Sequence, residues 1–144
     1  NVKLLMLIGS SISFAKAVTT SGLALSVAQT ISKSNASPLG MLFLIYAITL
    51  AITELISNNA AAALSFPVAY ALAVGFDVSS LPFIMAVAFG ASASFISPFG
   101  YQTNLMVYSA GNYRLKDYIA MGLPLSIIYS ITVLILIPLV FPFQ

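Results

Sequence analysis

The sequence predicts an all-α, polytopic membrane protein that contains a re-entrant helical hairpin and a broken transmembrane helix. Of its 144 residues, 60% are hydrophobic and 6% are charged, whereas soluble domains carry about 25% charged residues. The apolar residues come in runs close to the roughly 20 residues that span a bilayer. Polar clusters interrupt these runs, and lipid offers such clusters no hydrogen bonds. We therefore expect a hairpin tip and a helix break that line a cavity.

The composition leaves little material for catalysis or for a metal cluster. The chain has no Cys and no His, and its acidic residues are Glu54, Asp77 and Asp117. His is the most frequent general base and metal ligand in proteins. A net charge of +2 without a basic run gives no sign of a nucleic-acid partner. We predict a membrane protein that is not an enzyme.

The first predicted helix covers residues 4–31 and is rich in small and hydroxyl-bearing side chains, which favour close helix packing. A charge such as Lys16 costs about 2.5–3.5 kcal/mol at the centre of a membrane helix. Lys16 therefore either snorkels beside a break at residues 19–22 or faces an aqueous cavity and attracts an anion. Apolar sequence begins directly after Asn1, so we expect the chain to be part of a longer membrane protein.

Residues 38–75 form the predicted re-entrant hairpin. Pro38 suits the first position of a helix, and the two apolar arms that follow are both short for a spanning helix. Between them lies a polar segment, residues 53–59, with the sequence Thr-Glu-Leu-Ile-Ser-Asn-Asn. Two spanning helices joined by a surface turn would also fit. However, the Gly, Pro and flanking basic residues of such turns are missing here, and this favours a tip inside the membrane.

Residues 81–112 form the predicted broken helix. Its apolar run ends at Ile96, and residues 97–104 read Ser-Pro-Phe-Gly-Tyr-Gln-Thr-Asn before apolar residues resume. Pro98 cannot donate a backbone hydrogen bond and clashes with the preceding turn, while Gly100 accepts backbone conformations that other residues resist. Half-helix ends at such a break are suited to binding ions and anions.

The last predicted span covers residues 119–143, and we expect it to be a plain lipid-facing helix without functional residues. It follows a predicted interfacial loop that carries Arg114 and Lys116. Together with Lys3, these basic residues predict a cytoplasmic location for the loop, because cytoplasmic loops carry an excess of Lys and Arg.

The hairpin tip and the helix break offer mainly neutral oxygens and amides. Hydroxyls and carbonyls can replace the hydration shell of a small cation such as sodium, while amide and helix N-terminal N–H groups can hold an anion. Glu54 is the one carboxylate available for proton coupling, so a proton-coupled anion transporter is an alternative, as is a purely structural hydrogen-bonding role for Glu54. A channel or a structural membrane subunit is a further alternative, because polar residues also serve helix packing.

The two polar segments resemble those of the divalent anion/sodium symporter family, which includes dicarboxylate and sulfate transporters. Residues 54–62 resemble its Ser-Asn-Thr hairpin-tip signature, and Pro67 fits the Pro of its second arm. Residues 99–114 resemble the broken-helix motif of the sulfate-permease-like branch. Asn59 stands where the signature has Thr, and Gln102-Thr103 stands where dicarboxylate members have Pro-Pro. These departures favour sulfate over dicarboxylate.

The resemblance implies sodium-coupled secondary transport of a divalent anion by an elevator motion. It implies that the chain is the C-terminal half of an inverted-repeat transporter, a homodimeric multi-pass protein of the plasma or inner membrane, whose N-terminal repeat completes the site. The substrate would be held by Ser57, Asn58, Asn59, Gln102, Thr103 and Asn104. Sodium would be bound by Ser57, Asn58, Gly100 and Thr103.

Overall fold

The structure is a computed structural model that describes residues 36–144 continuously. In the preceding segment it describes Met6, Gly9, Ser13, Lys16, Ala17, Ser26 and residues 20–22. The helix predicted over residues 4–31, the two alternatives for Lys16 and the placement of Lys3 lie outside the continuously described part.

Residues 36–144 are helical apart from their connections and contain no strand. The helices are α1 (Pro38–Thr53), α2 (Asn58–Phe76), α3 (Leu81–Ala91), α4 (Gln102–Ala110) and α5 (Leu115–Val140). The predicted all-helical class is confirmed for this part of the chain.

Side-chain caps define where the first two helices begin. Pro38 occupies the first turn of α1, and the Ser37 hydroxyl accepts a hydrogen bond from the Gly40 N–H at 3.1 Å. At the start of α2, the Ser57 hydroxyl accepts from the Ala60 N–H at 3.4 Å. Each cap satisfies one of the N–H groups that a helix start leaves without an intrahelical partner.

Helix α3 lies at the centre of the packing and contacts α1, α2 and α5. Its Phe83 is fully buried and stacks on Phe76 of α2, with ring centroids 6.5 Å apart. The Tyr46 hydroxyl of α1 shares a hydrogen bond of 2.9 Å with the Ser130 hydroxyl of α5. The core is built from Leu42, Ile45, Tyr46, Ala69, Leu72, Ala73, Phe83, Ala86, Val87, Val133 and Ile137. This packing fixes the end of α1 beside the end of α3.

Two helices in the described part of the chain, α2 and α5, are long and apolar enough to cross a membrane, judged by length and composition. Helices α1 and α3 have 16 and 11 residues. At 1.5 Å per residue α1 is about 24 Å long, whereas the hydrocarbon layer of a bilayer is about 30 Å thick. Helix α1 is therefore short for a complete span.

The break between α3 and α4 occupies residues 92–101 and begins earlier than the sequence predicted. Helix α3 ends at Ala91 rather than at Ile96. The cause is a competing partner, because the Thr53 hydroxyl donates to the Ala91 carbonyl at 2.6 Å. In a continued helix this carbonyl would accept from the Phe95 N–H.

Helix α5 also begins earlier than predicted, at Leu115 instead of residue 119. The Asp117 carboxylate accepts a hydrogen bond from the Arg114 N–H at 2.8 Å. An acidic side chain in the first turn favours a helix start, because it satisfies a free N–H and complements the helix dipole. Residues 115–118, predicted as interfacial loop, are therefore the first turn of the last helix.

Candidate functional site

A pocket of about 230 Å³ lies between the hairpin tip and the helix break. Its walls come from the first turn of α2 and from the residues that lead into α4. The lining residues are Ser57, Asn58, Asn59, Gly100, Tyr101, Gln102 and Thr103. The fold thus brings together every predicted site residue except Asn104, from two segments more than 40 positions apart in the chain.

Two helix N-termini meet at this pocket. The N-terminus of α2 is capped by Ser57, whereas the N-cap of α4, Tyr101, is extended and makes no side-chain cap. The first N–H groups of a helix have no intrahelical partner, and the helix dipole gives this end a partial positive charge. The pocket therefore suits an anion even though none of its lining residues is basic.

Asn58 connects the hairpin tip to the helix break. The amide orientation that satisfies its surroundings places Nδ2 2.9 Å from the Thr53 hydroxyl oxygen, 3.2 Å from the Ala91 carbonyl oxygen and 3.0 Å from the Gly100 carbonyl oxygen. These three oxygens come from α1, α3 and the break. One half-buried amide therefore sits in a cradle of oxygens contributed by both discontinuities.

Gly100 lies where backbone and side chains approach too closely for any larger residue. A Cβ at this position would lie 2.0 Å from the Ser94 hydroxyl oxygen and 2.1 Å from the Thr53 carbonyl oxygen. The Ser94 hydroxyl is buried and finds no hydrogen-bond partner among the described residues. A buried orphan hydroxyl beside this oxygen cradle is a group that a bound cation would satisfy.

Glu54 holds the backbone of the break with both carboxylate oxygens. Its Oε1 accepts from the Phe95 N–H at 3.1 Å and from the Ile96 N–H at 3.0 Å, and its Oε2 accepts from the Ser97 N–H at 2.7 Å. In return, the Ser97 hydroxyl donates to the Glu54 carbonyl. These contacts satisfy three consecutive N–H groups that the end of α3 leaves without helical partners.

Asn104 lies outside the pocket lining, although the sequence placed it with the substrate-binding residues. Its Nδ2 donates to the Ser94 carbonyl at 3.2 Å, and its own carbonyl accepts from the Tyr118 hydroxyl at 2.9 Å. Asn104 therefore ties the start of α4 to the break and to α5.

Sequence reasoning missed the contact between α5 and the break. Gly122 of α5 packs so tightly on the break that a Cβ there would lie 2.1 Å from the Phe95 carbonyl oxygen. Tyr129 of α5 also packs edge-on against the Phe95 ring. A lone Gly within an apolar helix was the available signal, because such a position often allows close approach of another backbone. Helix α5 thus supports the break from outside the pocket.

Among the described residues, no group of three or more His, Cys, Asp or Glu side chains converges on a metal site. A cation bound near the pocket would be held by neutral oxygens, of which Thr53, Ala91, Ser94 and Gly100 supply the nearest set. Hydroxyl and carbonyl oxygens suit a hard monovalent or divalent cation better than a transition metal. This donor set fits the predicted sodium ion.

Comparison with known proteins decides the family. The model of the family described as Citrate transporter matches residues 1–144. The chain belongs to the citrate transporter family. This family consists of transporters and not of enzymes.

Individual relatives of this citrate transporter family member carry related names. The chain is 41% identical over 104 residues to the transporter sll0640 of Synechocystis sp., covering 72% of the chain and 17% of the relative. It is 41% identical over 86 residues to sodium/sulfate cotransporter 1 of Chlamydomonas reinhardtii, covering 60% of the chain and 10% of the relative. It is 28% identical over 134 residues to the sodium-dependent dicarboxylate transporter SdcS of Staphylococcus saprophyticus, covering 92% of the chain and 26% of the relative.

The chain therefore spans between about a tenth and a quarter of the length of these relatives. The relatives include sodium/sulfate cotransporters and a dicarboxylate transporter. The predicted resemblance to the divalent anion/sodium symporter family is confirmed.

Proposed function

We propose that this chain carries one half of the binding site of a sodium-coupled secondary transporter for a divalent anion, with sulfate ahead of dicarboxylate. The observation that carries the proposal is the pocket between two helix N-termini, lined by residues 57–59 and 100–103. The relatives named for sodium/sulfate and sodium-dependent dicarboxylate transport support the same substrate class.

The anion would bind where the two N-termini face the pocket. Ser57, Asn59, Gln102 and Thr103 offer hydroxyl and amide donors there, and the start of α4 adds backbone N–H groups. Divalent anions held by neutral donors and helix N-termini keep most of their charge uncompensated by the protein. A bound cation would supply the missing positive charge, which gives a physical reason for coupling the anion to sodium.

Sodium would bind in the oxygen cradle around Asn58. Rotating the Asn58 amide would turn its carbonyl oxygen toward Thr53, Ala91 and Gly100, and so replace a donor by a fourth oxygen. The orphan Ser94 hydroxyl lies close by, next to Gly100. We assign Asn58 and Gly100 to the sodium site. Ser57 and Thr103 would lie at the boundary between the sodium ion and the anion.

Helix length supports a membrane arrangement for the hairpin and the break. Helix α1 is too short for a full span, α2 just reaches one, and a polar tip joins them, which supports a re-entrant hairpin over residues 38–75. A break at residues 92–101 would then lie at membrane depth, where irregular backbone is tolerated only beside a cavity or within protein. We assign the chain to a multi-pass plasma or inner membrane protein, as its C-terminal repeat.

In this scheme the N-terminal repeat of the same protein completes the pocket as an inverted copy, and the active form is a homodimer. Inverted repeats whose discontinuous helices meet near the midplane are a recurring design of secondary transporters. Alternating access would carry the tip and the break together from one side of the membrane to the other.

The test is uptake by the full-length protein in proteoliposomes, with labelled sulfate and labelled succinate measured side by side. We expect sulfate uptake that requires an inward sodium gradient and that exceeds succinate uptake. Uptake that persists undiminished without sodium would remove the coupling. Uptake of neither anion would remove the substrate class.

The same preparation separates the proton-coupled transporter, the channel and the structural subunit. Proton coupling through Glu54 predicts uptake that is driven by a pH gradient without sodium. The Glu54 carboxylate already accepts three N–H bonds, and this favours a structural role for it. A channel predicts currents far above the turnover of a carrier. A structural subunit predicts neither uptake nor current.

A further inference from the structure

Glu54 lies at the end of α1, beside the pocket but not in its lining. It is the acidic residue of the hairpin, and its carboxylate reaches 41 to 43 positions along the chain to the break. Neighbouring residues of the tip touch the site directly, since Thr53 contacts Asn58 and Ser57 lines the pocket. The side chain that bridges tip and break is thus flanked by residues of the binding site.

The backbone of the break needs a hydrogen-bond acceptor such as the Glu54 carboxylate. The Thr53 hydroxyl occupies the Ala91 carbonyl, so the Phe95 N–H bonds to the Ala93 carbonyl at 3.0 Å and to Glu54 instead. The N–H groups of Ile96 and Ser97 bond to Glu54 as well. At membrane depth an unsatisfied N–H is strongly unfavourable, because lipid offers no other hydrogen-bond acceptor. A carboxylate is acceptor-only and can take several N–H donors at once.

We propose that Glu54 is the positioning residue of this site, which acts by holding the backbone of the break in register with the hairpin tip. The role rests on the proposed sodium-coupled transport and adds to it the residue that sets the spacing between Asn58 and Gly100. Glu54 touches neither anion nor sodium in this scheme. It fixes residues 95–97, and these in turn fix the Gly100 carbonyl against the Asn58 amide at 3.0 Å.

The chemistry predicts which substitutions matter. Glu54→Gln keeps the shape of the side chain but replaces one acceptor oxygen by an NH₂ group, which then faces a backbone N–H. Glu54→Asp keeps the acceptors but withdraws them by one methylene. Ser97→Ala removes the hydroxyl that donates back to the Glu54 carbonyl and that accepts from the Phe99 N–H at 3.3 Å. We expect the effects to decrease in the order Gln, Asp and Ser97→Ala.

The matched control is Asp77→Asn, which removes a negative charge of the same size. Asp77 is exposed, ends α2 and has a φ of 54°, a left-handed conformation that Asn adopts readily. Asp77→Asn therefore removes one negative charge, as Glu54→Gln does, but it changes no contact with the break.

The first measurement is hydrogen–deuterium exchange of the full-length protein in lipid nanodiscs, which does not require transport. We expect amides 95–97 to exchange at least about tenfold faster in Glu54→Gln than in wild type, because a lost charge-assisted hydrogen bond of about 1.5–3 kcal/mol opens the segment by that factor. Asp77→Asn should leave these amides unchanged. Unchanged exchange at 95–97 in Glu54→Gln overturns the proposal, and so does faster exchange spread evenly over all helices.

The second measurement is sodium-dependent sulfate uptake. In Glu54→Gln we expect the half-saturating sodium concentration to rise at least about tenfold while the maximal rate at saturating sodium stays within about twofold of wild type. Ser97→Ala should shift half-saturation in the same direction by about threefold. Faster exchange with an unchanged sodium requirement overturns the positioning role. If the wild type transports neither anion, the proposed function fails, and the exchange result alone decides whether Glu54 holds the break.

Discussion

The two helix N-termini that face the pocket differ in how firmly the protein supports them. Helix α2 has 19 residues, begins at a Ser57 cap and buries side chains against α3. Helix α4 has 9 residues, no side-chain cap, and no residue that is buried in the described part of the chain. The tip is therefore built before a ligand arrives, whereas the start of α4 keeps free donors that a ligand can use.

This difference suggests a division of labour between the two sides. The rigid tip carries Asn58, whose amide lies in the oxygen cradle, and is suited to selecting a small cation. The open start of α4, at residues 102–104, is suited to an anion that completes its hydrogen bonds. Substitutions on each side test this division, and we expect the largest effect from the one that damages both sides.

Gly100→Ala should have the largest effect, because its Cβ would lie 2.1 Å from a backbone carbonyl oxygen and 2.0 Å from the Ser94 hydroxyl. Overpacking costs about 1–3 kcal/mol, and here it separates the tip from the break. We expect labelled sulfate uptake to fall by about 100-fold at equal protein in the membrane. Gly40→Ala, where the added Cβ meets only the Ser37 hydroxyl at 3.2 Å, is the control. Normal uptake by Gly100→Ala would contradict the close approach.

Asn58→Ala should come next and should act on sodium. Removal of the amide takes away the carbonyl oxygen that the proposed rotation would add to the Thr53, Ala91 and Gly100 oxygens around sodium. We expect the half-saturating sodium concentration to rise by about 30-fold, which corresponds to the roughly 2 kcal/mol lost when a buried polar group loses its partner.

Asn59→Ala is the matched control for this change, because Asn59 is the adjacent exposed pocket residue. It should weaken sulfate affinity more than sodium affinity. Equal effects of the two Asn variants on sodium would refute the division between cradle and pocket.

Thr103→Val tests the α4 side of the comparison, since it removes one hydroxyl and keeps the shape. Thr103 lines the pocket at the uncapped helix start. Loss of one hydrogen bond to a charged ligand costs about 1.5 kcal/mol, so the KM for sulfate should rise about tenfold. Sodium half-saturation, measured in parallel, should change by less than threefold. A larger change for sodium than for sulfate would place Thr103 in the ion site instead.

Tyr118→Phe should give the smallest effect, because it acts on the support of α4 and not on the pocket. It removes the hydrogen bond of 2.9 Å to the Asn104 carbonyl, worth about 1 kcal/mol. We expect sulfate uptake at low substrate to fall about threefold to fivefold. Tyr113→Phe, whose ring packs on Tyr118 with centroids 6.2 Å apart, should remain near wild type. A Tyr118→Phe protein as active as wild type would show that α4 needs no such anchor.

Interruptions of apolar runs were a good guide to the candidate site. We predicted Ser57, Asn58 and Asn59 as site residues because they are polar residues in a membrane segment. They line the same pocket as Gly100 and its neighbours. The helix start at Pro38 was predicted correctly, because the preference of Pro for a first helical turn is local in the sequence.

Contacts between distant segments could not be predicted from local sequence patterns. The end of α3 was misplaced because Thr53 and Glu54, about 40 positions away, take up both the carbonyl and the N–H groups that would have continued the helix. Helix propensity cannot report such competition. The clue was a run of N–H groups that needed an acceptor, with Glu54 as the one carboxylate in the hairpin. Packing of Gly122 on the break was hidden for the same reason.

The way the break holds Glu54 has an electrical consequence. Backbone N–H groups stabilise the carboxylate with dipoles, so they do not cancel its formal charge. If the tip and the break cross the membrane field as one body, this charge crosses with them, and a voltage of 100 mV acts on it with about 2.3 kcal/mol. An inside-negative membrane potential would then favour the outward return of the empty carrier and would act against this charge during the inward, loaded passage. Neutralising Glu54 would shift the voltage at which transport is half-maximal.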